Sequence, residues 1–375
     1  MADGREFALI PGRPPQLQYL DTITPSLFAE ITRCRLRVAY RRDGAFAAYR
    51  RPTPFSVLGD VSHELAERVE NGEFDSVSPD RIHGALEAVW DGHVKTKHQQ
   101  LLEAWRLAPV PPPERWPGYQ VTRVRLLRSL AKGVTHRRER RPAPEPSGGR
   151  VVVEKTLEPS GIPLRGRVDR VEINNTGVHI VDIKTGWEYG DEIREEHREQ
   201  LLLYAAMWQR TTGEWPRLAS IQATDGRRLS FNVVPSEAEA VVAEAVVALA
   251  RYNDAVQHRV EPSALASPSA ESCRYCPYRG ICGPFFQALT PDWGWWLKSI
   301  AGTMIGVTGE TQQRALTLTV EASNLDVQCG ASVHVLAVPY EAVPTLGAQI
   351  AIVDACPTPQ AAEVRVAWST QLVLL

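Results

Sequence analysis

Residues 166–186 read GRVDRVEINNTGVHIVDIKTG, and this stretch decides the fold. Two runs rich in β-branched residues flank the turn-forming letters NNTG, a pattern typical of a β-hairpin. If NNTG forms the loop, Ile173 pairs with Val178, and the antiparallel register then sets Asp169 opposite Asp182. Two carboxylates facing each other across a ladder lie about 5 Å apart and repel. The pair therefore favours a bridging divalent cation such as Mg²⁺ or Mn²⁺, because both prefer oxygen ligands.

Three further side chains are predicted to gather around the two carboxylates. Lys184 lies two residues beyond Asp182 and shares its face of the strand. A lysine there can hold an attacking water and neutralise charge that develops on a phosphate. Gln200 and Tyr204 stand one helical turn apart on the following predicted helix and could flank the site. A D-x-K pattern alone is also typical of an exposed hairpin, so this alternative stays open.

The region before the hairpin is predicted to be mainly helical. Helices are expected around TPSLFAEITRCRLRVAYRR, where Ser26 could be the N-cap, and from about residue 59 to 72, where His63 lies. A lone helical histidine is usually only a polar surface or core residue. Residues 121–150 hold nine Lys or Arg against two Glu and are predicted to form a Pro-rich loop. That loop is either a solvated insertion or a nucleic-acid contact.

The region after the hairpin is predicted to continue an α/β pattern and then to become all-β. A hairpin (ASIQATDG with RRLSFNVV) and a helix with a capping box at Ser236 and Glu239 follow the helix of Gln200. From about residue 295 to 375, four or five short strands suggest a small OB-like β-barrel. Residues 290–375 hold three Lys or Arg against seven Asp or Glu, which favours protein docking over DNA binding. Trp293, Trp295 and Trp296 are expected to form an interdomain hydrophobic plug.

Composition limits the class of protein. The chain has 375 residues, a net charge of −2 and six cysteines, too few for a secreted disulfide scaffold. No apolar run approaches the roughly 18 residues that cross a bilayer, and the N-terminus does not resemble a signal peptide. We therefore expect no membrane contact, a cytoplasmic location, and cysteines that are reduced or bound to metal.

Cys273, Cys276 and Cys282 form a C-x₂-C-x₅-C motif. Three thiolates are one short of the four that Zn²⁺ or a [4Fe–4S] cluster prefers, and Cys34, expected to lie in a helix, is the natural fourth. A metal there would clamp the two ends of a long segment together. Unrelated buried thiols are the other possibility. Cys329 and Cys356 lack ligand spacing and are expected to be ordinary core residues.

The motifs together resemble the PD-(D/E)XK nuclease superfamily, in particular its RecB-type branch. That branch includes RecB and AddB nuclease domains and the CRISPR-associated RecB-like nucleases. The resemblance rests on four motifs in the family's order, namely G-x-x-x-H ending at His63, GRVDR, DIKTG and QLLLY. The cysteine motif with one distant upstream cysteine resembles the iron-staple members of this branch. Those members commonly carry proline after the upstream cysteine, where this chain has Arg35.

The resemblance implies a restriction-endonuclease-like α/β core, a mixed sheet flanked by helices, in residues 1–289 with a helical insertion at about 79–149, followed by the barrel at 295–375. It implies that His63, Asp169, Asp182 and the carbonyl of Ile183 bind Mg²⁺ or Mn²⁺, and that Lys184 is catalytic. Gln200 and Tyr204 support them, while Glu154 is a looser match. A [4Fe–4S] cluster is implied at Cys34, Cys273, Cys276 and Cys282, with zinc as the lesser alternative.

The activity implied is metal-dependent hydrolysis of DNA phosphodiester bonds, by an exonuclease in DNA processing, repair or defence. The DNA is single-stranded or has duplex ends. No G-x₄-G-K-[ST] motif occurs, so any helicase partner would act in trans. The alternative is a weakly active or inactive DNA-binding or assembly subunit of a helicase–nuclease complex.

Overall fold

A computed structural model describes residues 14–105, 107–139, 150–184, 192–223, 227–309 and 313–375, with the main chain alone at 136–139. None of the described helices is long and apolar enough to cross a membrane. The α-helices and strands, in chain order, are α1 Pro25–Arg33, α2 Arg35–Arg42, α3 Pro54–Glu70, α4 Ile82–Ala104, α5 Tyr119–Glu139, β1 Arg150–Leu157, β2 Gly166–Asn174, β3 Gly177–Lys184, α6 Glu195–Thr212, β4 Leu218–Ala223, β5 Arg228–Asn232, α7 Pro235–Gln257, α8 Ala270–Cys273, α9 Gly283–Ala288, β6 Lys298–Thr308, β7 Gln313–Ser323, β8 Ser332–Pro339, β9 Gln349–Pro357, β10 Glu363–Arg365 and β11 Gln371–Leu374.

The first sheet has the order β1-β2-β3-β4-β5 and is mixed. Strands β1, β2 and β3 form an antiparallel meander, and Ile173 pairs with Val178 as the turn NNTG predicts. Helix α6 lies between β3 and β4 in the chain, and these two strands are parallel to each other. Strand β5 pairs antiparallel with β4, as the predicted hairpin requires. The predicted mixed α/β class is confirmed.

One face of this sheet packs against helices α1, α6 and α7. Alternate residues of β2 and β3, among them Val171 and Ile180, point into this core. Helix α6 is buried along every residue from Leu201 to Trp208, so it runs through the middle of the core. Because α6 is held on all sides, the side chains at its N-terminal end are fixed relative to the tips of β2 and β3.

Helices α3, α4 and α5 build a second core around the fully buried Trp90. The predicted loop at 121–150 is wrong as far as Glu139, because α5 extends through that residue. Leu126, Leu127 and Val134 recur at helical spacing and are buried in this core, so apolar periodicity outweighs the high arginine content. The rest of the predicted loop, residues 140–149, lies outside the described residues.

Three predicted helix starts are wrong, and in each case a proline marks the true first turn. Thr24, rather than Ser26, caps α1, with its side chain accepting a hydrogen bond from the Leu27 N–H. Helix α3 begins at Pro54, before the expected residue 59, behind a Thr53 cap. Helix α7 begins at Pro235 with no side-chain cap, so the predicted Ser236 capping box does not form. Proline favours the first helical position because its N–H would be unpaired there anyway.

The C-terminal strands form a barrel. The order β8-β7-β6-β9 is closed by β10, which is parallel to β8 and antiparallel to β9, so five strands make the ring. Strand β11 pairs with residues 350–353 of β9, next to the positions at which β10 pairs with the same strand. The arrangement is compatible with an OB fold. Gly302 lies at an irregularity of β6, where the Thr319 carbonyl approaches so closely that a Cβ would be 2.2 Å from its oxygen.

Residues of α9 and residues of the barrel share one hydrophobic cluster. Trp293 and Trp295 pack on Phe285 of α9, with ring centroids 5.9 and 6.0 Å apart, as the predicted plug requires. Trp296 is 74% exposed, so its predicted place in the plug is wrong. The expectation of a core position is also wrong for Cys329, which is exposed, while Cys356 is half-buried.

Candidate active site

The two aspartates lie at the end of the β2–β3 hairpin, as its register predicts. Backbone pairing between the strands ends at Arg170 and Val181, one position before Asp169 and Asp182. The Ile183 N–H then donates to Asp169 Oδ2 over 2.8 Å. The carboxylate therefore accepts a backbone hydrogen bond just beyond the last paired residues of the two strands. The Asp169 side chain is thereby held against β3, beside the start of the segment that carries the lysine.

Asp182, Lys184 and Gln200 form a closed polar network. Lys184 Nζ lies 3.0 Å from Asp182 Oδ2 and donates to Gln200 Oε1 over 3.1 Å. Gln200 Nε2 donates to the other carboxylate oxygen, Asp182 Oδ1, over 3.1 Å. The amide of Gln200 therefore fixes both the acid and the amine, and its own position is fixed by α6. The D-x-K motif is part of a packed site and not of a solvated hairpin.

Burial controls the charge of Asp182. Its side chain is almost wholly buried, and this desolvation raises its pKa to about 6. The ammonium of Lys184 opposes the rise, and the nearby carboxylate of Asp169 adds to it. Asp182 Oδ2 is buried and lies 3.0 Å from the Lys184 ammonium, and no donor of the described residues forms an aligned hydrogen bond with it. A buried carboxylate oxygen in this state, beside a second carboxylate, fits a hard divalent cation.

Tyr204 lies one turn further along α6 and closes the inner side of the site. Burial raises its pKa to about 12, while a hydrogen bond with Gln200 opposes the rise. Its ring edge and the Met207 methyl group each lie 2.9 Å from where a Cβ of Gly166 would be. The glycine that opens GRVDR is therefore required by the close approach of α6, which sequence reasoning alone did not explain.

A group of acidic side chains extends the site towards α3. Glu154 has a φ of +49° and lies opposite Asp169, at a position where the pairing of β1 with β2 is interrupted without a shift of register. Burial raises its pKa, Arg167 opposes the rise, and Asp169, Glu67 and Glu70 add to it. Sequence reasoning missed Glu67 and Glu70. Their signal was the helical spacing from His63, which puts all three residues on one face of α3.

Among the described residues, no hydrogen bond or ion pair joins His63 to either aspartate. Its side chain is exposed on α3. Within the described ranges, no group of three or more His, Cys, Asp or Glu side chains is arranged to hold a metal ion. The structure therefore assembles Asp169, Asp182, Lys184, Gln200 and Tyr204, and leaves the predicted histidine ligand outside the assembled group.

The four predicted cluster cysteines line one cavity. Cys34, Cys273, Cys276 and Cys282 surround it together with Tyr40 and Phe285. Cys34 lies in extended backbone between α1 and α2, so its predicted helical position is wrong, and the break turns it towards α8. Burial raises the pKa of the Cys276 thiol to about 11, and the other nearby thiols add to the rise. Thiols are the ligand type of iron–sulfur clusters and zinc, although these four, like the other described His, Cys, Asp and Glu side chains, are not arranged as a metal-binding group here.

The match to a protein-family model agrees with this geometry. The family model described as PD-(D/E)XK nuclease superfamily matches residues 22–283, more than half of the chain. The chain therefore belongs to the PD-(D/E)XK nuclease superfamily, whose members are mostly nucleases. A search of curated proteins finds no match. Among solved structures, one described as "Crystal structure of SSO0001" is 14% identical, with a TM-score of 0.28, over 70% of this chain and 86% of that chain.

Proposed function

We propose that this chain is a RecB-type, Mg²⁺- or Mn²⁺-dependent deoxyribonuclease that hydrolyses DNA phosphodiester bonds as an exonuclease, in DNA processing, repair or defence. The single observation that carries the proposal is the packed network of Asp182, Lys184 and Gln200 beside Asp169. Superfamily membership supports nuclease chemistry on DNA.

The residues of the site have separate roles in this proposal. Asp169, Asp182 and the Ile183 carbonyl would hold the cation, which supplies Lewis acidity and lowers the pKa of an attacking water. Lys184 keeps its ammonium beside Asp182, where it neutralises charge that develops on the phosphate. Gln200 and Tyr204 act as positioning residues, because they fix the amine and the acid from α6.

Lys184→Ala tests the catalytic role most directly. Purified full-length wild type and variant would be incubated with Mg²⁺ or Mn²⁺ and end-labelled single-stranded or duplex DNA. By analogy with removal of one charge-stabilising donor, we expect the cleavage rate to fall by about 10²–10³-fold. Lys95→Ala, which removes an exposed lysine from α4, is the matched control and should cleave at the wild-type rate. Equal rates for all three proteins would refute the assignment.

We further propose that the four cysteines hold a [4Fe–4S] cluster, with zinc as the lesser alternative. The presence of all four cysteines in the lining of one cavity supports a cluster, and Cys34 joins it from a position more than 230 residues before Cys273. A bound group there would connect the N-terminal helices to the end of the nuclease domain, which we take to span residues 1–289. Protein purified without oxygen should be brown if iron is bound, and colourless protein with bound zinc would contradict the cluster.

A second candidate function is a weakly active or inactive DNA-binding subunit of a helicase–nuclease complex. One observation favours it, namely that no group of three or more His, Cys, Asp or Glu side chains in the described part of the chain is arranged to hold a metal ion. In that case the acidic barrel at 295–375 would dock a protein partner such as a helicase. Cleavage by the wild type that is lost in Lys184→Ala would argue against this candidate. A pull-down from the native source that recovers no ATPase would count against the partner.

A further inference from the structure

The positive charge of the helical insertion is concentrated on one helix. Residues 119–139, which form α5, contain six Lys or Arg and one acidic residue, the terminal Glu139. Arg125, Arg128 and Lys132 follow one another at spacings of three and four, so they lie on one exposed stripe. The stripe spans roughly 10 Å at 1.5 Å per residue. That length matches about three phosphate-to-phosphate steps along one strand of DNA, at about 3.4 Å per step.

A groove lies beside this stripe, between the beginning of α4 and the end of α5. It has a volume of about 550 Å³ and is lined by Pro79, Ile82, His83, Arg128, Ala131, Lys132 and Thr135. Its polar lining thus consists of two permanent cations, one histidine and one hydroxyl. No carboxylate belongs to that lining among the described residues. Arg81, at the N-cap of α4, is also exposed, and the N-terminal end of the helix adds positive potential.

A second groove on the same pair of helices provides an internal comparison. It has a volume of about 450 Å³ and contains Lys95, His98 and Arg123, but also Asp91 and Glu114. Arg123 is bound there by Glu87 and lies 3.5 Å from Asp91. The charge of Arg123 is therefore neutralised within the protein, and two carboxyl-bearing residues line the groove. For Arg128 and Lys132 the structure gives no ion pair with any carboxylate of the described residues, so their charge is available to an outside anion.

Helix α3 connects this groove to the candidate active site. Val57, Val61 and Leu65 of α3 belong to the insertion core that α4 and α5 complete. On another face of α3, Glu70 pairs with Arg170, the neighbour of Asp169. The helices that form the groove therefore share a core with α3, which contacts the strand that carries Asp169.

We infer that the groove of His83, Arg128 and Lys132 is a second DNA-binding site that holds the sugar–phosphate backbone outside the active site. The choice of DNA as its ligand rests on the proposed function. The contact is electrostatic and independent of sequence, because Lys and Arg side chains meeting phosphates carry no base information. It anchors the substrate at one place while hydrolysis takes place at another.

The test measures DNA binding without cleavage. Full-length wild type, Arg128→Gln/Lys132→Gln and the control Lys95→Gln/Arg251→Gln would be titrated into fluorescent duplex DNA in EDTA, at several salt concentrations. Both double variants lose one exposed arginine and one exposed lysine. Each phosphate contact contributes about 0.9 to the slope of log K against log salt. We expect the groove variant to lose about 1.8 from the slope, and affinity at about 0.1 M salt to fall by tens of fold.

The outcomes separate this inference from the proposed function. Equal slopes and affinities for groove variant and control would overturn the inference, even if the wild type cleaves DNA. Binding by the wild type that shows no salt dependence would overturn it as well. A reduced slope only in the groove variant supports it, and does so even if Lys184→Ala leaves cleavage unchanged. Circular dichroism melts of all three proteins would show that the exposed substitutions leave the fold intact.

Discussion

Replacing Arg279 should weaken the contact between the barrel and the segment that holds Cys276 and Cys282. Arg279 lies between Cys276 and Cys282 and donates to both oxygens of Asp354 on β9, over 2.7 and 3.1 Å. It also donates to the Cys276 carbonyl over 2.9 Å, and its guanidinium lies 5.5 Å from the Trp295 ring. The arginine therefore joins the thiol cavity to the barrel through one side chain.

The expected cost of Arg279→Met follows from the burial of the pair. The two side chains are only 8% and 15% exposed, so water screens their charges little. Removing one partner of such a pair leaves an uncompensated buried charge, which costs about 3–5 kcal/mol in the free energy of unfolding. Arg210→Met breaks the pair of Arg210 with Glu239, which is much more exposed, and should cost no more than about 1 kcal/mol.

The cost should also depend on pH. Burial already raises the pKa of Asp354, and the guanidinium opposes that rise, so its loss raises the folded-state pKa further. A carboxyl whose folded pKa exceeds its unfolded pKa of about 3.9 destabilises the fold when it ionises. The deficit of the variant is therefore greatest at neutral pH, above the folded pKa, and shrinks as the pH falls through it.

Urea unfolding followed by tryptophan fluorescence would measure this, because Trp295 is next to the substituted side chain. Asp354→Asn and the double variant complete a thermodynamic cycle, and asparagine tolerates the positive φ of +62° at this position. We expect the double variant to be less destabilised than the sum of the two single variants. A cost for Arg279→Met no larger than that of Arg210→Met, or one that is equal at pH 5 and pH 8, would refute the reasoning.

Two further predictions concern the barrel and the thiol cavity. Gly302→Ala should lower barrel stability by about 1–3 kcal/mol, because its Cβ would meet the Thr319 carbonyl. Gly92→Ala is the control, because Gly92 lies in the middle of α4 and no atom lies within 4 Å of its added Cβ; it should stabilise the chain by about 0.5–1 kcal/mol. Thermal melts in which the two variants shift the melting temperature in the same direction would contradict this. Cys34→Ser should lose bound iron or zinc on anaerobic purification, whereas Cys356→Ser should keep it. Equal metal content by elemental analysis would show that Cys34 is not a ligand.

The hairpin with its two aspartates could be predicted from the sequence because its determinants are local. A polar turn of four residues and the alternation of side chains together set the register, and with it the position of Asp169 opposite Asp182. Lys184 followed from the same alternation. Gln200 joined them because a helix in the core returns to the tips of these strands, which the motif order indicated but local pattern alone would not show.

The parts that were predicted wrongly depend on competition between signals or on tertiary placement. In α5 the apolar periodicity of Leu127 and Val134 competes with a high density of arginine, which is typical of a solvated loop. The segment is helical because these apolar side chains are buried in the core. Helical spacing places Glu67 and Glu70 on the same face of α3 as His63, but that spacing does not show that the face lies near Glu154. The position of α3 relative to β1 is a long-range property of the fold.

The cluster of Phe285, Phe286, Trp295, Ala351 and Val353 draws its members from both sides of the proposed border between the nuclease domain and the barrel. A chain that stops before the barrel would leave aromatic rings of α9 facing water, and such patches promote self-association. A frameshift just after α9 would therefore act as a folding defect and affect the nuclease-superfamily region along with the tail. The family-matched region ends at residue 283, so a fragment cut there would lose the α9 rings as well, whereas one cut at residue 289 would expose them.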